Sequence, residues 1–153
     1  GFAPRLPNDA MKFLNGVGEW SGGGRLSLPY EWGDGVNRII NGSLRFHILP
    51  FPATIVAARA IMVSDWYDGP ELKLQFLQAP FQLPNPIADW TVIAPDIHVL
   101  STLFDGYIQA YSFAVNDWQN KALAANTILA VSLSNVIASG PTHLLVEIEL
   151  EKI

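Results

Sequence analysis

Leu144-Leu145-Val146-Glu147-Ile148-Glu149-Leu150-Glu151 sets Leu144, Val146, Ile148 and Leu150 against Glu147, Glu149 and Glu151 with a period of two. Side chains alternate between opposite sides only in an extended chain, so the stretch reads as a β-strand with one buried and one wet face. The glutamate row reads as the solvated face of an edge strand, where charge discourages pairing with other chains.

The same period recurs upstream. Leu129, Val131 and Leu133 alternate with Ala130, Ser132 and Ser134, and Tyr107, Gln109, Tyr111, Phe113 and Val115 alternate with Ile108, Ala110, Ser112 and Ala114. The second of these has material to cover on both sides and reads as a central strand. Leu72, Leu74 and Phe76 alternate with Glu71, Lys73 and Gln75, and Leu44, Phe46 and Ile48 with Arg45 and His47, the apolar set being the expected buried face. Thr54 to Val63 is a β-branched, alanine-rich run, and Trp90 to Ala94 a short strand ended by Pro95-Asp96. Asp68-Gly69-Pro70, Asn116 to Asn120 and Ser139-Gly140-Pro141 supply turns, and Pro80, Pro84 and Pro86 make Ala79 to Asp89 an irregular crossing. Asn120 to Ala130 has some helix propensity, but it is brief and lacks an apolar stripe. Seven to eight short strands with no helical pattern between them predict an all-β antiparallel sandwich, jelly-roll-like, over residues 43–153.

Residues 1–42 differ. They hold most of the glycines, including Gly22-Gly23-Gly24, and show no sustained period, so they read as an extended N-terminal arm with loops.

Composition narrows the function. At 153 residues the chain has room for one domain, which at this size buries about 68–70% of its unfolded surface. Half the residues are hydrophobic, 15% are charged against a usual ~25%, and mean hydropathy is +0.23, an apolar excess suited to facing a partner. The most apolar stretch, Ile55 to Val63, is far short of the ~18 residues a membrane helix needs and contains Arg59, so no membrane insertion is expected. The N-terminus lacks the basic region and apolar core of a secretory signal. The absence of cysteine removes disulfides, thiolate metal sites and cysteine nucleophiles. A net charge of -5 with nine scattered Lys and Arg offers no basic patch for nucleic acid.

The chemistry-bearing residues do not converge. His47, His98 and His143 are far apart in sequence, and Asp96 with His98 at i, i+2 makes a two-ligand pair without a third partner. Asp65, Asp68 and Glu71 lack the spacing of a calcium loop, and there is no nucleophile elbow, phosphate loop or dinucleotide fingerprint. No enzyme, cofactor or metal is expected. Flat aromatic faces near loops can stack on sugar rings, which makes Trp66, Tyr67 and Trp118 a candidate glycan-binding set; the bland reading of each tryptophan is core or interface packing.

Met11, Phe13, Leu14 and Trp20 lie in an arm too irregular to build its own core, so they need a neighbour to cover them. Asp9, Ala10, Lys12, Phe13, Leu14, Gly16, Gly18 and Trp20 match a short element, approximately Asp-Ala-x-Lys-Phe-Leu-x-Gly-x-Gly-x-Trp. It resembles one in bacteriophage tail-fibre and other virion-surface proteins, with Glu19 standing where a small or polar residue is usual. The resemblance covers Leu6 to Ser21 and implies an anchoring arm on a symmetric, usually trimeric, projection that carries a β-rich head. The combined expectation is a structural phage virion protein, such as a capsid decoration, head-fibre or tail-fibre component. Its partners would be its own copies, in a homotrimer, and other virion proteins. A carbohydrate-binding module for a host-surface glycan is the alternative.

Overall fold

The computed structural model describes residues 13–14, 20–21, 24–37, 39, 43–63, 71–82, 90–94, 98–101, 108–134 and 141–153. These carry twelve strand segments: β1 (Phe13–Leu14), β2 (Trp20–Ser21), β3 (Arg25–Trp32), β4 (Leu44–Leu49), β5 (Ala53–Val63), β6 (Glu71–Pro80), β7 (Thr91–Val92), β8 (His98–Ser101), β9 (Ile108–Phe113), β10 (Ala122–Leu123), β11 (Thr127–Ser134) and β12 (His143–Lys152). No helix occurs among the described residues. The brief helix-prone stretch at Asn120 to Ala130 instead forms β10 and the start of β11, with Asn120 and Asn126 both in the left-handed region that asparagine tolerates.

Two antiparallel sheets face each other. The first runs β10-β5-β12-β3, with β9 also on β5; the second runs β4-β11-β6-β7, with β8 also on β6. β1 and β2 pair separately as a small ribbon. The core between the sheets holds Leu144, Val146, Ile148 and Leu150 of β12, Leu129, Val131 and Leu133 of β11, and Leu72, Leu74 and Phe76 of β6. The apolar alternations of these three strands therefore point inward as their sequences require, and the fold is an all-β antiparallel sandwich.

β5 shows how a strand of eleven residues keeps one face in the core. Its register to β12 slips at Glu149/Leu150, so that Val56 is an extra residue. A one-residue slip flips every side chain to the other face, and the bulge makes that flip once. Ala53 and Ile55 point inward before it, and Ala58, Ala60 and Met62 after it.

Four expectations are corrected. Arg25 to Trp32 is not part of an arm: it is β3, paired with β12 over its full length, with Tyr30 and Trp32 in the core. Leu26, Leu28, Tyr30 and Trp32 alternate cleanly with Arg25, Ser27, Pro29 and Glu31, but Pro29 and the glycines around the segment mask the pattern. The sandwich thus begins before residue 43. β12 is not an edge strand, because it lies between β3 and β5 and its glutamates form the wet face of a central strand. β9 is not central: among the described residues it pairs with β5 alone. Finally, Phe46 and Ile48 of β4 point outward, and Arg45 and His47 take the inner side.

That inversion of β4 has a physical cause at the rim where β3 and β4 meet. Pro29 has no N–H to offer, and its carbonyl and that of Glu31 face away from β12. His47 Nε2 lies 2.7 Å from the Pro29 oxygen, and Arg45 Nε donates to the Glu31 oxygen at 3.1 Å. A carbonyl only accepts, so His47 Nε2 carries the proton. Trp32 Nε1 donates in turn to the Ser43 carbonyl at 2.9 Å, and the Tyr30 and His47 rings meet edge-on at 4.8 Å. Tyr30 ties the sheets together across the core, its hydroxyl donating to the Leu129 carbonyl at 3.0 Å. Burial pushes the Tyr30 phenol well above its ordinary range, which keeps that donor protonated.

Candidate functional site

The side chains that β4 turns outward join an apolar face whose members on the neighbouring strands, Ile128, Ala130, Leu77 and Ala79, are buried within the chain. Across the second sheet, Phe46 pairs with Ala130, Ala130 with Leu77 and Leu77 with Val92, one row through four strands. A second row runs Ile48, Ile128, Ala79. None of these seven residues belongs to the core between the sheets, because strand neighbours such as Leu129, Val131 and Phe76 do. Phe46 is 58% exposed and Ile48 49%, and Val92 and Phe81 are exposed as well. Leu44, Phe46, Trp90 and Ile128 line a shallow hollow on this face. This end of the second sheet is therefore apolar on both sides, while Lys73, Gln75, Ser132 and Ser134 occupy the rest of its outer face.

The first sheet presents the opposite character. Its outer face carries Arg25 against Glu149 at 3.2 Å and Arg59 against Glu147, the latter with Arg59 Nε donating at 2.8 Å. The hydrogen bond and charge of Glu147 raise the Arg59 guanidinium further above its usual range. A patch at one end, lined by Ile61, Ala110, Tyr111 and Leu145, interrupts the charged ladder.

The residues singled out from sequence fare differently. Trp118 does not offer a ring to a sugar: it is 4% exposed, stacked at 4.6 Å and a tilt of 37° on Phe76, and part of the core. The packing reading holds for it, because the Asn116–Asn120 turn folds the ring inward through a Trp118 N–H bond to the Val115 carbonyl. Trp66 and Tyr67 lie outside the described residues, as do Met11, Asp96 and the side chains of Phe13, Leu14, Trp20 and His98. Of Phe13, Leu14 and Trp20, the backbone shows the pairing Leu14↔Trp20 within the β1–β2 ribbon. His47 and His143 are not brought together, since His47 serves the β3–β4 rim and His143 Nε2 sits 3.5 Å from Glu31.

The apolar outer face escaped the sequence reading. The signal for it was Ile128-Leu129-Ala130-Val131, where apolar residues occupy both parities of one strand.

No family model matches the chain, and no curated protein matches it in sequence. Among solved structures, one of Desmodium yellow mottle tymovirus aligns with 99% of this chain and 91% of its own at 7% identity and a TM-score of 0.36. Structures of infectious bursal disease virus, strains Gt and Gx, align with 98% of this chain and 45% of theirs, at 7% identity and TM-scores of 0.24 and 0.23. Scores of this size are too low to carry a functional inference.

Proposed function

We propose that this chain is a structural virion component of a bacteriophage, a capsid decoration, head-fibre or tail-fibre protein, that assembles with its own copies and with other virion proteins. The observation that carries the assembly part is the second sheet's outer face, where Phe46, Ile48 and Val92 stand exposed in register with the buried Ile128, Ala130 and Leu77. Phe46 and Ile48 stand side by side on β4, and large apolar side chains left exposed together are costly unless a partner covers them. The phage setting and three-fold closure are what the Asp9–Trp20 element implies. In this reading the protein is not an enzyme and needs no cofactor.

Mass photometry and light scattering of the full chain test it. A three-copy species is expected, lost in Phe46→Lys with Ile48→Lys, and deletion of residues 1–21 should abolish incorporation into particles. A chain that stays monomeric at high concentration, and enters particles as well without residues 1–21, overturns the reading.

A further inference from the structure

Among the described residues β9 is an edge of the first sheet, and the direction of its backbone groups follows from the ladders beside it. The Pro29 and Glu31 carbonyls are turned away from β12, so the β3–β12 bonds run through the intervening pairs such as Tyr30↔Val146. Leu145 and Glu147 of β12 consequently face β5 at Ile61 and Arg59. The bond from the Thr142 N–H to the Val63 carbonyl agrees with that parity. Ala58, Ala60 and Met62 then face β9 at Phe113, Tyr111 and Gln109. What remains directed out of the sheet is the N–H and C=O of Ile108, Ala110 and Ser112, and all three residues are exposed, Ile108 by 64%.

Natural sheets guard such rows with charge, proline, bulges or brevity. β3 carries Pro29 and is stitched by Arg45 and His47, β4 carries Arg45, and β7 is two residues long. Ile108-Gln109-Ala110-Tyr111-Ser112-Phe113 has no charge, no proline and no glycine. An unguarded edge of this kind is a template for strand addition.

We infer that β9 pairs antiparallel with β9 of a second copy about a two-fold axis at Ala110, joining the two first sheets into one. The occupant is a second copy because the strand complements itself in this register. Ala110 meets its own equivalent, the bulky Ile108 lies opposite the small Ser112 of the partner subunit, and no charge meets its like. Every outward N–H and C=O then finds a partner, and the apolar patch of Ile61, Ala110 and Leu145 continues across the axis. A two-fold contact cannot close a trimer, so it links assemblies to one another. The inference deepens the assembly reading above and rests on it.

Cysteine cross-linking of the full chain tests it, since the protein has no cysteine of its own. Directly opposed, hydrogen-bonded antiparallel residues sit about 5.5 Å apart at Cα, within the ~4.4–6.8 Å range of disulfides. Ala110→Cys is expected to form a covalent dimer under mild oxidation. Ile108→Cys and Ser112→Cys should each fail alone and cross-link when mixed. Ala110→Pro loses an N–H that β5 does not use, so it should weaken the two-copy contact at least tenfold with circular dichroism unchanged; if it does not fold, Ser112→Lys should weaken the contact in the same way. Absence of the Ala110→Cys dimer, or equal cross-linking at all three positions, overturns the inference. If that happens while the three-copy species persists, the assembly reading survives. If the chain is also monomeric throughout, both fall.

Discussion

The two sheets share a core and differ on their backs. Behind β3, β12 and β5, the residues between the buried ones include Arg25, Glu147, Glu149 and Arg59, joined in cross-strand ion pairs beside the small apolar patch of Ile61 and Leu145. Behind β4, β11 and β6, the corresponding positions hold Phe46, Ile48, Ile128, Ala130, Leu77 and Ala79 toward one end and Lys73, Gln75, Ser132 and Ser134 toward the other. The strands are built alike, with the same alternation and comparable lengths, yet the chain covers Ile128, Ala130, Leu77 and Ala79 and leaves Phe46 and Ile48 exposed. Solvated charge on an outer face is the default of a sandwich; an apolar outer face needs something to cover it. The contrast leaves folding to the shared interior and solvation to one back, and under the assembly proposal it gives association to the exposed part of the other.

The shared interior should be the most sensitive to change. Leu129 is fully buried in β11, and Leu129→Ala removes packing from both sheets at once, at a cost of about 2–5 kcal/mol. Chemical denaturation should show one cooperative transition shifted to lower denaturant. Two separated transitions would mean that the sheets do not stand or fall together, and would break the comparison at its root.

Next in size is the corner where β3 leaves the first sheet. Gly33 has φ of +87°, and a Cβ there would lie 2.2 Å from the Thr142 carbonyl oxygen. Asp34 fixes the following turn by accepting from the Val36 and Asn37 N–H groups at 2.8 and 2.7 Å, bonds that hold its carboxyl below its ordinary range. Gly33→Ala combines backbone strain with a clash, and about 1–3 kcal/mol is expected in the same denaturation experiment. A neutral result would show that this corner moves freely and does not hold β3 in place.

The outer face of the second sheet should answer in a different currency. Phe46→Lys with Ile48→Lys puts charge where exposed apolar groups stand, so monomer stability should move by no more than about 0.5 kcal/mol in either direction. Assembly should fail outright. If stability collapses instead, these side chains belong to the chain's own packing and the assignment of this back to association is wrong.

How much of this was legible in the sequence depends on how many demands each strand answers. β12 and β6 answer one, a core on one side, and their alternation announces it. β11 answers two, and Ile128-Leu129-Ala130-Val131 blurs into a run whose second face sequence alone left unassigned. β4 was read inside out because Phe46 and Ile48 look like core. What sets their direction is the pair of carbonyls on β3, which Arg45 and His47 reach through a contact distant along the chain. β3 itself was hidden by Pro29, which reads as a breaker yet is admissible on the outward side of an edge strand. Trp118 shows the same limit, since a turn tryptophan can point either way and the Phe76 ring that draws it inward is forty-two positions upstream.

The smallest effect is expected on the charged back, and its smallness is what the comparison requires. Glu147→Gln removes the negative charge that faces Arg59 while keeping an acceptor, in a pair that lies largely open to solvent. Exposed ion pairs gain little because water solvates the separated charges nearly as well and salt screens what remains. The melting temperature should therefore change far less than in Gly33→Ala, and less still at high salt. The sign with pH is fixed by Arg59, whose guanidinium is raised in the folded state, so its contribution is fully present below the ordinary guanidinium range and is lost only as pH rises above it. Titration of Arg59 should thus leave the difference between Glu147→Gln and the parent constant from pH 6 to 9. A loss as large as that of Gly33→Ala would make the ladder a lock on the first sheet, and the two backs would then differ in how they hold the fold, with solvation no longer the distinction.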